Sequence, residues 1–183
     1  WLDAGFGQTV DDQTLAAVQG AAAILADAGA TIVPIAPFLT RTMIDGLDRF
    51  WRARGYEDVS RLAPEQQAKI LPYIFNWIET AKDFSGRDVY TGFAQIEAMR
   101  NALHVALADV DFIISPTAPT PSYPAEWASP FNDPKRPFEH ISFTVSANMG
   151  GQPALSINCG YSSGGLPIGL QIIGQSFDDL GVL

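Results

Sequence analysis

The sequence predicts an α/β fold in which a mixed, mostly parallel sheet is flanked by helices. Three observations support this class. Apolar residues recur at helical spacing in several segments, short β-branched runs alternate with those segments, and one run ends in a long proline-rich loop. Because strand, helix and strand follow one another closely, parallel strands covered by helices are expected. With 183 residues and 47% hydrophobic content, the chain can bury one core, so a single domain over 1–183 is expected.

The first part of the chain is predicted to run strand, helix, strand. Residues 1–4 end a first strand, and Asp11 or Asp12 caps a helix that Gly29 terminates in the left-handed conformation. Residues 31–36, TIVPIA, then form a β-branched strand.

Three long helices are expected next. They cover residues 40–54, a segment opened by Pro64, and residues 88–108. Later elements are predicted mainly from β-branched runs and turn residues. They are strands at 111–115, 153–158 and 167–173, a proline-rich loop at 116–140 that leaves the first of these strands, and a helix starting at Asp178 or Asp179.

Charge and cysteine content exclude several functions. The chain has 11 Lys and Arg against 20 Asp and Glu, a net charge of −9. It therefore has little from which to build the basic face that nucleic acids or anionic membranes require, and neither is expected as a partner. Cys159 is the single cysteine, so no internal disulfide is possible, which is compatible with a cytoplasmic location.

The residues alone reveal no assembled catalytic machinery. His104 and His140 are the two histidines, and neither an HExxH nor a GxSxG motif occurs. The segment 162–165, SSGG, lacks the Gly-Lys-Ser/Thr ending of a phosphate-binding loop and is typical of a turn between strands. No metal and no cofactor are expected.

Several stretches of the last third resemble the C-terminal part of the amidase signature family of amide hydrolases. They are DFIISPTAP at 111–119, FTVSANMGGQPA at 143–154, LSINCG at 155–160 and GLPIGLQIIG at 165–174, followed by Phe177 and Asp178. Their order and spacing also resemble the family, and a looser similarity extends over the earlier helices. The resemblance implies a large mixed sheet with helices on both faces, of which this chain would hold an incomplete part.

The resemblance also implies a mechanism: hydrolysis of a carboxamide C–N bond by a serine nucleophile, a second serine that relays the proton, and a lysine base. In the family these residues precede the region matched here, and the serines lie in a GGSSGG segment. The SSGG at 162–165 lies on the wrong side of the Pro-Thr-Ala-Pro loop, so no catalytic residue is assigned to this chain. We expect the C-terminal segment of a longer amidase, contributing scaffold and substrate pocket and inactive alone.

The family's pocket is lined by the loop after the Pro-Thr-x-Pro strand and by the helices before it. Transferred to this sequence, the resemblance implies five substrate-pocket candidates: Phe75, Trp77, Thr117, Tyr123 and Trp127. A core role for the aromatic residues stays open, because apolar stripes at helical spacing are typical of cores.

The resemblance bears on the substrate as well. Family members that serve as the glutamine-hydrolysing subunit of a transfer-RNA amidotransferase hold the amino acid with an acidic residue and an arginine. Ile141 occupies the acidic position, with Glu139 nearby, and the arginine position falls near Ile74 and Phe75. Apolar side chains cannot compensate the charges of a zwitterion. An apolar or aromatic carboxamide is therefore favoured as the small-molecule substrate.

Two alternatives stay open: a non-catalytic binding module derived from the amidase fold, and the glutamine-hydrolysing amidotransferase component itself. In addition, we expect an exposed apolar patch or a homo-oligomeric contact through an exposed sheet or helix surface.

Overall fold

The computed structural model describes residues 1–7 and 9–183 and confirms the α/β class. Its helices are α1 (Asp12–Asp27), α2 (Arg41–Ser60), α3 (Pro64–Gln67), α4 (Pro72–Glu79), α5 (Gly86–Leu107) and α6 (Val145–Gly150). The strands are β1 (Ile113–Pro116), β2 (Ala154–Tyr161) and β3 (Pro167–Ile173). Short 3₁₀ helices cover Thr80–Asp83 and Glu139–Ile141.

The three strands form one sheet in the order β1-β3-β2, and both pairings are antiparallel. The mostly parallel arrangement predicted from the sequence is therefore wrong for these strands. The connection between β2 and β3 is a turn closed by the amide of Ser162 on the carbonyl oxygen of Leu166 (2.8 Å). A connection this short permits only a hairpin, since parallel neighbours need a crossover of roughly a dozen residues or more.

Two predicted strands are absent from the described part of the chain. Residues 31–36 have no strand partner there, and Ile32 and Val33 are 44% and 49% exposed. Pro34, which has no N–H to donate, interrupts any ladder through this run. Residues 1–4 form no strand either, although the backbone nitrogen of Trp1 donates to the carbonyl oxygen of Ile114 (3.0 Å).

The helix predicted from Pro64 is interrupted. It ends at Gln67, and a second helix begins at Pro72, because a proline lacks the N–H of a helix interior and holds the residue before it in an extended conformation. Leu71 has φ −55° and ψ 132°, as this restriction requires. The prediction of a helix starting at Asp178 or Asp179 is also wrong within the described residues. This segment forms a series of turns, in which the Asp178 carboxylate accepts from the amide of Gly181 (3.1 Å).

Helix starts follow the capping residues. The Asp11 carboxylate accepts from the amides of Gln13 and Thr14, so α1 begins at Asp12 as expected. Ser85 and Asp88 form a reciprocal capping box, which starts α5 slightly earlier than the apolar pattern indicated.

The core is centred on the packing of α2 against α5 and extends to side chains of the sheet. Its members are buried apolar side chains from α2, α5, the sheet and the segment before α6, including Leu47, Met99, Leu103, Leu107, Ile113, Phe143 and Ile173. Two glycines let the helix backbones approach. A Cβ atom on Gly92 would lie 2.6 Å from the carbonyl oxygen of Gly46.

Some apolar side chains remain exposed. Ile157 and Tyr161 on β2 are 44% and 68% exposed, and Phe177, Leu180 and Leu183 near the C-terminus are at least 84% exposed. A homo-oligomeric contact through such a surface stays a prediction. No helix in residues 1–7 and 9–183 is both long enough and apolar enough to span a membrane.

We expect Gly92→Ala to lower the free energy of unfolding by about 1–3 kcal/mol, because the new methyl group forces α2 and α5 apart. Gly20→Ala on α1 is the matched control, since a methyl group at that position would meet no atom of the described residues within 4 Å. That variant should gain roughly 0.5–1 kcal/mol from helix propensity. Chemical denaturation of both variants measures the difference, and equal effects would contradict the close crossing.

Candidate functional site

A cleft of about 400 Å³ opens at the end of β1. Its walls come from the loop that follows β1, the first turn of α1, parts of β2 and β3, and the 3₁₀ helix Glu139–Ile141. The lining residues are Thr14, Thr117, Ala118, Thr120, Pro121, Ser122, Tyr123, His140, Ser156, Ile157, Asn158, Pro167, Ile168 and Gly169. Loops at strand ends commonly build ligand sites, and a cleft of this size accommodates a small molecule.

The floor of the cleft depends on a glycine in the central strand. The hydroxyls of Thr117 and Ser156 share a hydrogen bond of 2.6 Å, although they belong to the two outer strands of the sheet or their extensions. They meet across Gly169 on β3. A Cβ atom there would lie 2.6 Å from Thr117 Oγ1 and 3.1 Å from Ser156 Oγ. The lack of a side chain at this position is therefore what allows the contact.

Backbone contacts fix the loop against α1. The amide of Asp11 donates to the carbonyl oxygen of Pro119 (2.8 Å), and the amide of Thr117 donates to the carbonyl oxygen of Gly169 (2.9 Å). The Gln13 side chain, also in the first turn of α1, accepts from the amide of Ser163 in the β2–β3 turn. The first turn of α1 thus bridges the loop and the hairpin.

Two polar atoms at the cleft lack a hydrogen-bond partner among the described residues: Thr14 Oγ1 and His140 Nδ1. Thr14 is 1% exposed. Burial lowers the pKa of His140, and the nearby Glu139 carboxylate only partly opposes this effect. The imidazole is edge-on to Tyr123, with ring centroids 6.2 Å apart. His140 therefore favours its neutral form, which offers one donor and one acceptor nitrogen.

The far end of the loop is held by two side chains from the helical layer. Arg52 donates to the carbonyl oxygen of Pro134 (3.2 Å) while its Nε donates to Asp48 (2.8 Å). The Tyr73 hydroxyl donates to the carbonyl oxygen of Asp133 (2.9 Å), and burial raises the pKa of this phenol. The loop is thereby anchored at both ends.

The structure places two of the five sequence-predicted pocket residues, Thr117 and Tyr123, in the lining of this cleft. Trp77 lies elsewhere: its indole nitrogen donates to Asp48 (2.8 Å), and its ring contacts that of Phe138 edge-on. Phe75 is half-buried on α4 and Trp127 is 42% exposed in the loop, and neither lines the cleft. A substrate-binding role for any of the five, including the two that line the cleft, stays a prediction.

Sequence reasoning missed Thr14, His140, Ser156 and Gly169 as lining residues. Only long-range packing brings them together, and no motif links α1 to the β2–β3 hairpin. The glycine of the PIGLQ run was the available signal, because a glycine inside a strand often marks a close approach.

The structure also shows the surroundings of Glu139 and Ile141, which lie at or near the position where the resemblance places an acidic residue for glutamine binding. Glu139 is 5% exposed, and its carboxylate already pairs with Arg136 Nε at 3.2 Å. Ile141 is partly buried against the core. In residues 1–7 and 9–183, no three His, Cys, Asp or Glu side chains cluster as a metal site.

The Amidase family model matches residues 2–183. The chain belongs to the amidase family. The chain is 44% identical over 85 residues to the A subunit of the glutamyl-tRNA(Gln) amidotransferase from Thermodesulfovibrio yellowstonii, a stretch covering 46% of the chain and 17% of that protein. The corresponding protein of Desulforapulum autotrophicum is 46% identical over 78 residues, 43% of the chain and 16% of that protein.

Solved structures show the same fold. A bacterial aryl acylamidase of the amidase signature family superposes with a TM-score of 0.78 at 20% identity, covering 99% of this chain and 40% of that one. The A subunit of the Thermotoga maritima glutamyl-tRNA(Gln) amidotransferase gives a TM-score of 0.67 at 18% identity, covering 94% of this chain and 37% of that one. The amidase chain thus corresponds to about 40% of the length of the solved aryl acylamidase.

Gly169→Ala should break the hydroxyl contact between Thr117 and Ser156 and lower the free energy of unfolding by about 1–3 kcal/mol. Gly164→Ala in the neighbouring turn is the control, since the nearest atom to its new methyl would be 3.8 Å away. Chemical denaturation reports stability, and amide NMR shifts of Thr117 and Ser156 report the contact. Unchanged shifts in Gly169→Ala would show that the floor does not depend on this glycine.

His140 should make unfolding pH-dependent. Since burial lowers its pKa below the ordinary 6.5, the unfolded chain binds a proton that the folded chain rejects, and stability falls as the pH drops below that value. His140→Phe keeps a ring beside Tyr123 and removes the titration. Denaturation curves at several pH values between about 5 and 8 should therefore differ in slope between wild type and variant. Parallel profiles would refute the burial effect.

Proposed function

We propose that this chain is the scaffold and substrate-binding part of an amidase that hydrolyses the C–N bond of a carboxamide. One observation carries the proposal: the family match extends over residues 2–183, and the Pro-Thr-Ala-Pro segment within it builds one wall of the cleft. The remaining walls come from elements on either side of that segment in the sequence.

Amide hydrolysis requires a nucleophile, a base and donors for the oxyanion. The resemblance to the amidase signature places the two serines and the lysine in a segment that precedes the one matched here. Ser162 and Ser163 lie in the β2–β3 turn, where they hold the hairpin together with Leu166 and Gln13. We therefore assign the chemistry to a longer polypeptide and the substrate contacts to this chain, with Thr117 and Tyr123 at the cleft.

A second candidate is the glutamine-hydrolysing component of a transfer-RNA amidotransferase. It is supported by the 44% identity over 85 residues to an amidotransferase of this kind. The side chains at the glutamine-binding positions argue against it, because Ile141 stands where the acidic residue would be, and Glu139 nearby is engaged by Arg136. Association with partner proteins and a requirement for glutamine would establish this alternative.

The purified 183-residue chain should release no ammonia from benzamide, butyramide or L-glutamine, whereas a longer polypeptide that adds the Ser-Ser-Lys segment should hydrolyse at least one of them. In that polypeptide, Tyr123→Ala should lower kcat/KM by about tenfold through the loss of one aromatic contact with the substrate.

Tyr90→Ala is the matched control, because Tyr90 is 72% exposed on α5 and lies outside the cleft. Contaminant-free hydrolysis by the isolated chain would contradict the assignment of the chemistry elsewhere. An inactive longer polypeptide would contradict the amidase proposal itself.

A further inference from the structure

β2 is an uncovered edge of the sheet in the part of the chain that the structure describes. At the other edge, the start of the chain reaches β1, where the backbone nitrogen of Trp1 donates to the carbonyl oxygen of Ile114 (3.0 Å). Among residues 1–7 and 9–183, β2 has β3 as its single strand neighbour, and its backbone makes no hydrogen bond to another element. Alternate N–H and C=O groups of an edge strand point away from its neighbour, so β2 offers an unpaired ladder.

The sequence of β2 lacks the residues that usually protect an edge strand. Charged side chains and prolines keep edge strands from pairing with other chains. The strand Ala154–Tyr161 contains neither, and residues 140–177 contain no Asp, Glu, Lys or Arg. A bulge between Asn158 and Gly160 interrupts the ladder late in the strand, so residues 154–158 form its regular part.

The helix that packs against this strand is uncharged as well. Between Asp12 and Asp27, α1 carries no charged residue, and it contacts β2. Ile24 on the helix is 71% exposed, and Ile157 on the strand is 44% exposed. Two copies of a chain with a net charge of −9 repel each other, and this repulsion opposes contact least at an uncharged surface. A basic partner would be drawn to the acidic parts of the chain instead, so the charge distribution favours a second copy at this edge.

The regular part of β2 is complementary to itself. Two copies related by a twofold axis perpendicular to the sheet pair in antiparallel orientation and present the same sequence to each other. The register that uses all of residues 154–158 is centred on Ser156. It places Leu155 of one copy opposite Ile157 of the other, and apolar cross-strand pairs of this kind stabilise a sheet. On the opposite face, Ala154 lies across from Asn158, so no charge is buried.

We propose that two copies of this chain associate through β2 and join three strands from each copy into one continuous antiparallel sheet. Because Ser156, Ile157 and Asn158 also line the cleft, the second copy lies at the rim of that cleft. The paired segment is short, so the dimer is weak and forms reversibly. This inference does not depend on the proposed function.

Sedimentation of the 183-residue chain at concentrations from about 10 µM to about 1 mM should show a monomer–dimer equilibrium. Ile157→Lys places a lysine opposite Leu155 twice in each dimer and should raise the dimer Kd at least about tenfold. Val105→Lys is the matched control: Val105 is 73% exposed on α5, and the variant makes the same change of charge away from β2. It should leave the Kd within about twofold. Salt screens the repulsion between two acidic copies, so added NaCl should tighten the dimer.

A mixed sample of unsubstituted chain tests the register. In an equimolar mixture of ¹³C-labelled and unlabelled copies, an isotope-filtered NOE between the methyl groups of Leu155 and Ile157 reports contacts between copies, because the filter removes contacts within one copy. We expect this NOE at concentrations where the dimer is populated. Hydrogen exchange of the amides in 154–158 should slow as the concentration rises, since pairing satisfies the outward N–H groups. Both measurements decide the question even if Ile157→Lys does not fold.

A dimer that shows the filtered NOE and that Ile157→Lys weakens, while Val105→Lys does not, supports the inference. A chain that stays monomeric up to about 1 mM overturns it, as does a dimer without the NOE or one that both variants weaken equally. A dimer that dissociates on addition of salt also overturns it, because charge pairs would then hold the copies together. If β2 instead pairs with a strand of a longer polypeptide and the 183-residue chain is monomeric, the edge serves an intramolecular contact and the inference is wrong.

Discussion

A missing side chain on the central strand organises the candidate site. Because Gly169 has no Cβ, Thr117 and Ser156 from opposite sides of β3 come within hydrogen-bond distance above it. That contact fixes where the chain leaves β1, and the hydrogen bond from the amide of Thr117 to the carbonyl oxygen of Gly169 extends the ladder by one residue. The loop then reaches the first turn of α1 with its Pro119 carbonyl oxygen placed for the amide of Asp11.

The next position on the same face of β3 carries a long polar side chain where Gly169 has none. Gln171, two residues from Gly169, shares its face because strand side chains alternate. Its amide nitrogen donates to Ser115 Oγ (3.1 Å) and to the carbonyl oxygen of Phe143 (2.9 Å), all buried. A satisfied buried amide joins β1, β3 and the segment before α6. The buried network around Gln171 and the Thr117–Ser156 hydroxyl pair at the cleft therefore lie next to each other on the same face of the sheet.

Local signals and long-range packing explain what the sequence could predict. Asp11 caps α1, and the Ser- and Gly-rich turn at 162–165 joins β2 to β3, so both signals act within a few residues and α1 and the hairpin follow from the sequence. Residues 31–36 show the limit, because β-branched residues favour a strand only where a partner accepts their hydrogen bonds. The turn predicted at 162–165 already implies that β2 and β3 are antiparallel, whereas the antiparallel pairing of β1 with β3 depends on long-range packing.

The lining of the candidate site could likewise be predicted from the sequence only in part. Thr117 and Tyr123 are recognisable because they follow a family motif, but Thr14 and His140 reach the cleft from elements far away in sequence. Trp77 looked equally suited to a pocket. Its ring instead contacts Phe138, and its indole N–H is satisfied by Asp48, an acceptor that the apolar stripe of α4 could not reveal.

Hydrogen bonds anchor the proline-rich loop at both of its ends. Thr117 and Pro119 hold one end against β3 and α1, whereas Arg52 and Tyr73 hold the other through the carbonyl oxygens of Pro134 and Asp133. Prolines fix φ along the way and reduce the conformational freedom that binding would otherwise remove. A cleft wall ordered before the ligand arrives avoids much of the entropic cost of association.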